Sequence, residues 1–199
     1  MVGYNADEMT ALAPFPPTPA EAYVESCRMR YGTMADGFLE IYPVRTDDDA
    51  RAAHYASMRD LLIGWGARSW ARASAATGTS RVHAYYFTRV PPGLDSQRHG
   101  AFHSAEIAYV FGNLLPPRPW QQVDRALSDA MMAYWINFAT HGDPNGAGLP
   151  PWPAYETPRD TVLTLGDTIE TRSGVNSQGV DFFDTYWARV RSGELPYPH

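Results

Sequence analysis

Segments that favour β-strands are few and short in this chain, and they limit the sheet that it can form. Residues 82–87 (VHAYYF) are rich in aromatic and β-forming side chains and predict one strand, and residues 161–165 (TVLTL) predict a second. Residues 1–4 (MVGY) are typical of the end of a buried strand, whose beginning we expect to be missing. Because two or three strands cannot make a well-covered parallel sheet, we expect apolar side chains such as Tyr85 and Phe87 to need a partner for their burial.

Two helix starts are predicted in the first third of the chain. Residues 18–21 (TPAE) combine an N-cap threonine, a proline at the first helical position and a glutamate, and they predict a helix from there to about residue 30. Thr46 is followed by three aspartates, which favour the positive end of a helix dipole. The helical region after Thr46 is predicted to reach about residue 76, with a break near Gly64 and Gly66.

Two further helices are predicted in the second half of the chain. Residues 121–140 carry apolar side chains at helical spacing and are followed by Gly142, a residue that often ends helices. Residues 181–191 have the pattern of an amphipathic final helix. The predicted chain is therefore mostly helical, with a small sheet.

Composition excludes several classes of function. The net charge of −6 and a pI near 5.4 argue against a nucleic-acid partner, which requires clustered positive charge. No run approaches the roughly 18 apolar residues of a membrane span. Cys27 is the only cysteine, so an internal disulfide is excluded, and no paired-histidine spacing supports a metal site. Met1 is followed by no pattern typical of a signal peptide, and the localisation stays open.

Two short segments carry residues suited to acid–base chemistry. Residues 100–114 (GAFHSAEIAYVFGNL) place His103 in a loop of small residues, three positions before Glu106. Residues 3–8 (GYNADE) place Glu8 in a turn directly after the first predicted strand. Histidine can take up and return a proton near neutral pH, and a carboxylate can orient its imidazole. We expect Glu8 and His103 to lie within hydrogen-bond reach.

These segments, together with residues 131–155 (MMAYWINFATHGDPNGAGLPPWPAY), resemble the C-terminal part of the type B carboxylesterases, the family that includes the cholinesterases. The family turn G-x-N-x-D-E-G matches residues 3–8, with Met9 in place of the last glycine. The family signature G-x-x-H-G-x-E-(I/L)-x-(Y/F)-V-F matches residues 100–111, with Ser104 in place of the second glycine. The match is looser between residues 10 and 76.

The resemblance implies a fold class and a set of site residues. It implies an α/β fold, namely the C-terminal portion of an α/β-hydrolase, with few strands and mostly helices, whose N-terminal sheet and nucleophile elbow are missing. Residues 1–199 would then be one piece of a single carboxylesterase domain. By resemblance Glu8 is the acid and His103 the base of a Ser-His-Glu triad, with Glu106 and Ser104 as supporting residues, and no cofactor is implied.

The nucleophile that the resemblance requires does not occur in the sequence. The family elbow G-x-S-x-G has no match, and residues 78–82 (GTSRV) fail at the last position. The glycine-rich oxyanion loop is absent as well. Ser104 is next to the base, and because adjacent side chains in an extended loop diverge, we do not assign it as the nucleophile. The chain alone is therefore expected to be inactive.

Two functions remain open at this point. The first is a carboxylic ester hydrolase whose N-terminal part supplies the serine, with a small-molecule carboxylic ester as substrate and the N-terminal part of the same enzyme as partner. The alternative is a non-catalytic, cholinesterase-like binding module. The presence of both Glu8 and His103 speaks against the alternative, because a binding module needs neither. The acyl and alcohol preferences stay open, since much of the substrate pocket would come from the missing part.

Overall fold

The computed structural model describes residues 1–12, 16–94 and 96–195. Four strands occur in this part of the chain: β1 (Val2–Asn5), β2 (Ala84–Phe87), β3 (Thr161–Leu165) and β4 (Ile169–Ser173). The described helices are, in chain order, α1 (Met9–Leu12), α2 (Ala20–Tyr31), α3 (Ala35–Ile41), α4 (Asp47–Arg59), α5 (Trp65–Thr77), α6 (Ser96–His99), α7 (Ala105–Val110), α8 (Gln122–His141) and α9 (Ser177–Ser192). A short 3₁₀ turn (Gly32–Met34) precedes α3, and a π-helical turn (Asp60–Gly64) joins α4 to α5.

The structure has mixed helix and sheet, and the sheet is four-stranded in the order β1-β2-β3-β4. The first three strands are parallel, with Val2 paired to Ala84 and Tyr85 paired to Leu163. The last strand, β4, runs antiparallel to β3. The three strands predicted from the sequence are confirmed, although the second is shorter than predicted and β4 was not predicted.

The described part divides into two compact units. The first consists of residues 1–12 and 67–175 and contains the whole sheet. The second consists of the described residues of 13–66 and 176–199, and it is helical.

The core of the sheet-containing unit covers one of the side chains that we expected to lack a partner. Phe87 is completely buried and packs against the ring of Tyr109, 5.3 Å away between centroids. Its cluster includes Met131 and Leu163, so side chains of α7 and α8 cover the sheet there. Tyr85 is partly buried, with its ring edge against another aromatic ring of α8. The expectation of an uncovered Phe87 is wrong, because the chain following β2 folds back over the strand.

The two helix starts predicted in the first third of the chain have different outcomes. Around Thr46 the prediction is confirmed: the threonine hydroxyl accepts from the Asp49 N–H, while the Asp49 carboxylate accepts from the Thr46 N–H. The cap of α2 was predicted wrongly. The residue before the helix is Pro19, and the first helical N–H, that of Ala20, donates to Asp47 at 2.8 Å instead. The Thr18 hydroxyl donates to a backbone carbonyl two residues earlier.

The helical unit has an aromatic core. Tyr31 stacks on Phe38 at 4.4 Å between ring centroids, and Phe182, Phe183 and Tyr186 of α9 surround the Tyr31 ring. The predicted final helix at residues 181–191 lies within α9, which begins four residues earlier.

The helix predicted at residues 121–140 is confirmed as α8. Gln121 caps its start, and Gly142 follows its end with φ of +73°, a conformation that favours glycine. Within the described ranges, no helix is both long and apolar enough to cross a membrane.

Candidate active site

The turn after β1 and the loop before α7 lie side by side. The Asp7 N–H donates to the Ala101 carbonyl at 3.0 Å, and the Ala101 N–H donates to the Asp7 carboxylate at 2.8 Å. Asp7 and Phe102 form an isolated parallel bridge. Because successive parallel strands end at the same edge of a sheet, the loops that follow β1 and β2 meet there.

Gly100 is required for this approach. Its φ is +59°, and a Cβ built there would lie 2.1 Å from the Asp7 carboxylate. Any side chain at position 100 would therefore strain the backbone and push the two loops apart.

Glu8 and His103 are hydrogen-bonded although they are 95 positions apart in the sequence. The His103 Nδ1 atom lies 2.5 Å from Glu8 Oε2. The other Glu8 oxygen, Oε1, accepts from the Asn5 N–H at 2.8 Å. The Glu8 side chain is only 6% exposed, whereas the His103 side chain is 45% exposed. The proximity expected from the sequence is therefore confirmed.

The chemistry of this pair follows from what each group can donate. An ionised carboxylate has no hydrogen to donate, so the imidazole must carry its proton on Nδ1. The neutral His103 then has an unprotonated Nε2, the form that acts as a general base.

Asn5 and Glu106 form further hydrogen bonds next to the Glu8–His103 pair. The Asn5 Nδ2 atom donates to Glu106 Oε2 at 2.5 Å and to the Phe102 carbonyl at 2.8 Å. Burial, together with the negative charges of Glu106 and Glu8, raises the pKa of Tyr85. The Tyr85 phenol thus stays neutral near two carboxylates at ordinary pH.

Ser104 lies at the start of α7 in a left-handed conformation with φ of +72°. It is exposed, and its side chain does not cap the helix. Glycine is favoured at such an angle, which explains the glycine in the signature that this segment resembles. Met9, which replaces the other glycine, has no positive φ and is buried, so the substitution does not strain the turn.

The contacts of two residues in the site were not recognised from the sequence. Asn5 and Asp7 lie in the motif that contains Glu8, but their partners lie between Ala101 and Glu106. The motif itself was the only available signal, since it fixes these residue types at set offsets. In the described ranges no group of three or more His, Cys, Asp or Glu side chains is arranged to hold a metal ion.

Comparison with known proteins relates this chain to one family of sequences. The model of the carboxylesterase family matches residues 20–183, a range that includes His103, Ser104 and Glu106 and begins after Glu8. The chain is 36% identical over 111 residues to carboxylesterase 5A of Mus musculus, covering 51% of the chain and 19% of that protein. It is 30% identical over 185 residues to fumonisin B1 esterase of Sphingopyxis macrogoltabida, covering 88% of the chain and 33% of that protein.

A third relative, carboxylesterase 1C of Mus musculus, is 28% identical over 172 residues, covering 84% of the chain and 31% of that protein. The chain thus spans between about a fifth and a third of the length of these relatives. Since the family model matches most of the sequence, the chain belongs to the carboxylesterase family.

Proposed function

We propose that this chain is the part of a serine carboxylesterase that supplies the acid and the general base of a Ser-His-Glu triad. Glu8 is the acid and His103 the base. The observation that carries the proposal is the 2.5 Å contact between His103 Nδ1 and the buried carboxylate of Glu8. Membership of the carboxylesterase family supports ester hydrolysis as the reaction.

In the first half of the reaction an ester is cleaved and the enzyme is acylated. A serine from outside this chain attacks the ester carbonyl carbon, and His103 Nε2 takes the hydroxyl proton. Glu8 stabilises the resulting imidazolium through Nδ1. The tetrahedral intermediate collapses, the carbon–oxygen bond to the alcohol breaks, and Nε2 gives its proton to the departing oxygen.

In the second half water removes the acyl group. His103 Nε2 takes a proton from water, the hydroxide attacks the acyl carbon, and the serine oxygen leaves with that proton. The products are an alcohol and a carboxylic acid, and the free serine is restored. These steps involve no cofactor.

The remaining parts of the enzyme belong to the same proposal. The N-terminal part of the enzyme would supply the serine, the oxyanion donors and the rest of an α/β-hydrolase sheet, since G-x-S-x-G is absent from this sequence. Glu106 and Ser104 support the His103 loop. The proposed substrate class is a small-molecule carboxylic ester. One of the relatives is named as an esterase, the fumonisin B1 esterase.

The sequence encoded upstream of Met1 gives the simplest test. We expect an in-frame G-x-S-x-G there. The protein that joins this upstream part to the present chain, here called the joined enzyme, should hydrolyse p-nitrophenyl acetate and react with a fluorophosphonate. His103→Ala should lower kcat by at least about 10⁴-fold, and Glu8→Gln by about 10⁴-fold. The chain of 199 residues alone should give neither reaction.

His141→Ala is the matched control, because His141 is an exposed histidine at the end of α8. It should keep full activity. Hydrolysis that survives His103→Ala would disprove the assignment of the base. If the joined enzyme bound ligands but hydrolysed no ester, the alternative function of a cholinesterase-like binding module would be favoured.

A further inference from the structure

Asn5, the last residue of β1, contacts both halves of the acid–base pair. Its backbone N–H donates to Glu8 Oε1 at 2.8 Å. Its side-chain Nδ2 donates to the carbonyl of Phe102, the residue directly before His103, and to Glu106, three residues after it. One residue therefore holds the carboxylate with its backbone and the imidazole loop with its side chain.

The burial of Asn5 makes the loss of these contacts costly. Asn5 is 1% exposed, so water cannot replace the bonds that its side chain makes. Without the amide group, the carbonyl of Phe102 and the carboxylate of Glu106, both partly buried, would each lose a donor. Unsatisfied buried acceptors are costly, and the loop would move to find other donors.

The chemistry of the two acceptors selects asparagine at this position. A carbonyl and a carboxylate both need donors, and the two hydrogens of one amide nitrogen serve both. Aspartate has the same shape but offers only oxygens. An aspartate at position 5 would set its negative charge against the Glu106 carboxylate and would offer the Phe102 carbonyl oxygen no donor.

We propose that Asn5 is a positioning residue that sets the His103 imidazole against Glu8, and that it does so partly through Glu106 in the first turn of α7. This inference rests on the proposed function of Glu8 and His103. It gives Glu106 a specific role: its carboxylate is held by Asn5 and fixes the first turn of α7, from which the His103 loop extends.

The test is designed around an exchange of donor and acceptor. Asn5→Asp removes both hydrogens, whereas the double variant Asn5→Asp with Glu106→Gln restores one donor–acceptor pair with reversed polarity. Asn145→Asp is the matched control, because Asn145 Nδ2 also donates to a backbone carbonyl, that of Trp152, and to a carboxylate, that of Asp143. The control changes the same types of donor and acceptor at an exposed position that is far from His103 in sequence.

The first measurement is ¹⁵N NMR of the histidine side chains in the full 199-residue chain. The wild type should show His103 protonated on Nδ1 with a low-field proton. Asn5→Asp should lose that signal, the double variant should recover it, and Asn145→Asp should keep it. Asn5→Ala, which adds no charge, should lose it as well.

The second measurement is the kinetics of the joined enzyme. Asn5→Asp should lower kcat by about 10- to 100-fold with KM changed by less than about 3-fold, and the double variant should recover most of that loss. Retention of the Nδ1 signal in Asn5→Asp, no recovery in the double variant, or the same loss in Asn145→Asp would each overturn the proposal. If the joined enzyme is inactive while the NMR pattern holds, the proposed function fails and the positioning role of Asn5 stands.

Discussion

Ser104 is the residue of the candidate site whose backbone is least suited to its side chain. A residue with a Cβ loses about 1 kcal/mol or more in the left-handed region, and Ser104 has φ of +72° with no capping bond to offset the cost. It is exposed, so removal of its side chain leaves no cavity.

We therefore predict that Ser104→Gly raises the free energy of unfolding by about 0.5–1 kcal/mol, measured by urea denaturation. Ala105→Gly is the matched control. Its position is right-handed helix, so this change should destabilise the protein by about 1 kcal/mol or more. If Ser104→Gly destabilised the protein, or abolished ester hydrolysis by the joined enzyme, the serine would have a role that we have not assigned.

At the same scale, the sequence predicted the contact between Glu8 and His103 but not the contacts of Asn5. The first two lie in contiguous motifs whose residue types suit proton transfer. The partners of Asn5 are 97 and 101 positions away, so its contacts depend on how two loops meet in space. No local pattern in the sequence predicts a contact between two loops that are so far apart.

At the scale of elements, local signals located some helix ends and missed others. The capping box at Thr46 is complete within four residues, and the prediction succeeded. The start of α2 depends on Asp47, 27 positions away, so the local cap at Thr18 was misleading. The strand β4 is largely exposed, and its place is set by pairing with β3 rather than by its own pattern.

Arg89, Asp124 and Tyr109 link the end of β2 to α7 and α8. Asp124 is completely buried, and its Oδ1 accepts from Arg89 Nε and from the Tyr109 hydroxyl, both at 2.7 Å. Burial alone would raise the Asp124 pKa. Donors from Arg89, the Gln121 N–H and Tyr109 outweigh burial, and the pKa lies below its usual value.

This lowered pKa predicts acid sensitivity with a definite sign. A carboxyl group with a folded-state pKa below the unfolded value of about 3.9 stabilises the protein above that pH. The contribution is lost as the pH falls through the folded-state pKa. Asp124→Asn should lose about 1.5–3 kcal/mol of unfolding free energy at pH 7 and depend less on pH below 4.

Urea denaturation at pH 7, 5, 4 and 3 measures both effects. Asp167→Asn is the control, because Asp167 also bonds Arg89 but is mostly exposed, and its loss should cost at most about 1 kcal/mol. If the unfolding free energy of Asp124→Asn fell with decreasing pH as steeply as that of the wild type, other carboxyl groups would govern the loss of stability in acid.

At the scale of the whole molecule, two large apolar side chains at the C-terminal end of α7 are exposed close to each other. Ile107 and Phe111 lie one turn apart and are 49% and 69% exposed. Covering such a side chain contributes about 1.5–3 kcal/mol, so these groups favour association when no partner covers them.

We predict that the isolated chain self-associates and has low resistance to urea. Ile107→Ser combined with Phe111→Ser should reduce the associated fraction in light scattering and sedimentation, whereas Leu62→Ser, a comparable exposed change in the helical unit, should have less effect. A monomeric wild type with cooperative, stable unfolding would contradict this prediction.

The pairing of β1 with β2 has a consequence for the order of synthesis. Val2 is made about 80 residues before its partner Ala84, and at 5–20 residues per second a ribosome needs roughly 4–16 s to produce the second strand. During that interval Asn5 and Glu8 have no loop to meet, and β1 lacks its partner β2. A parallel pair so far apart in sequence also closes late, because the loop entropy is lost before the contacts form. Helices α2 to α4 are complete by then, so the nascent chain should form helical structure before Glu8 and His103 come together.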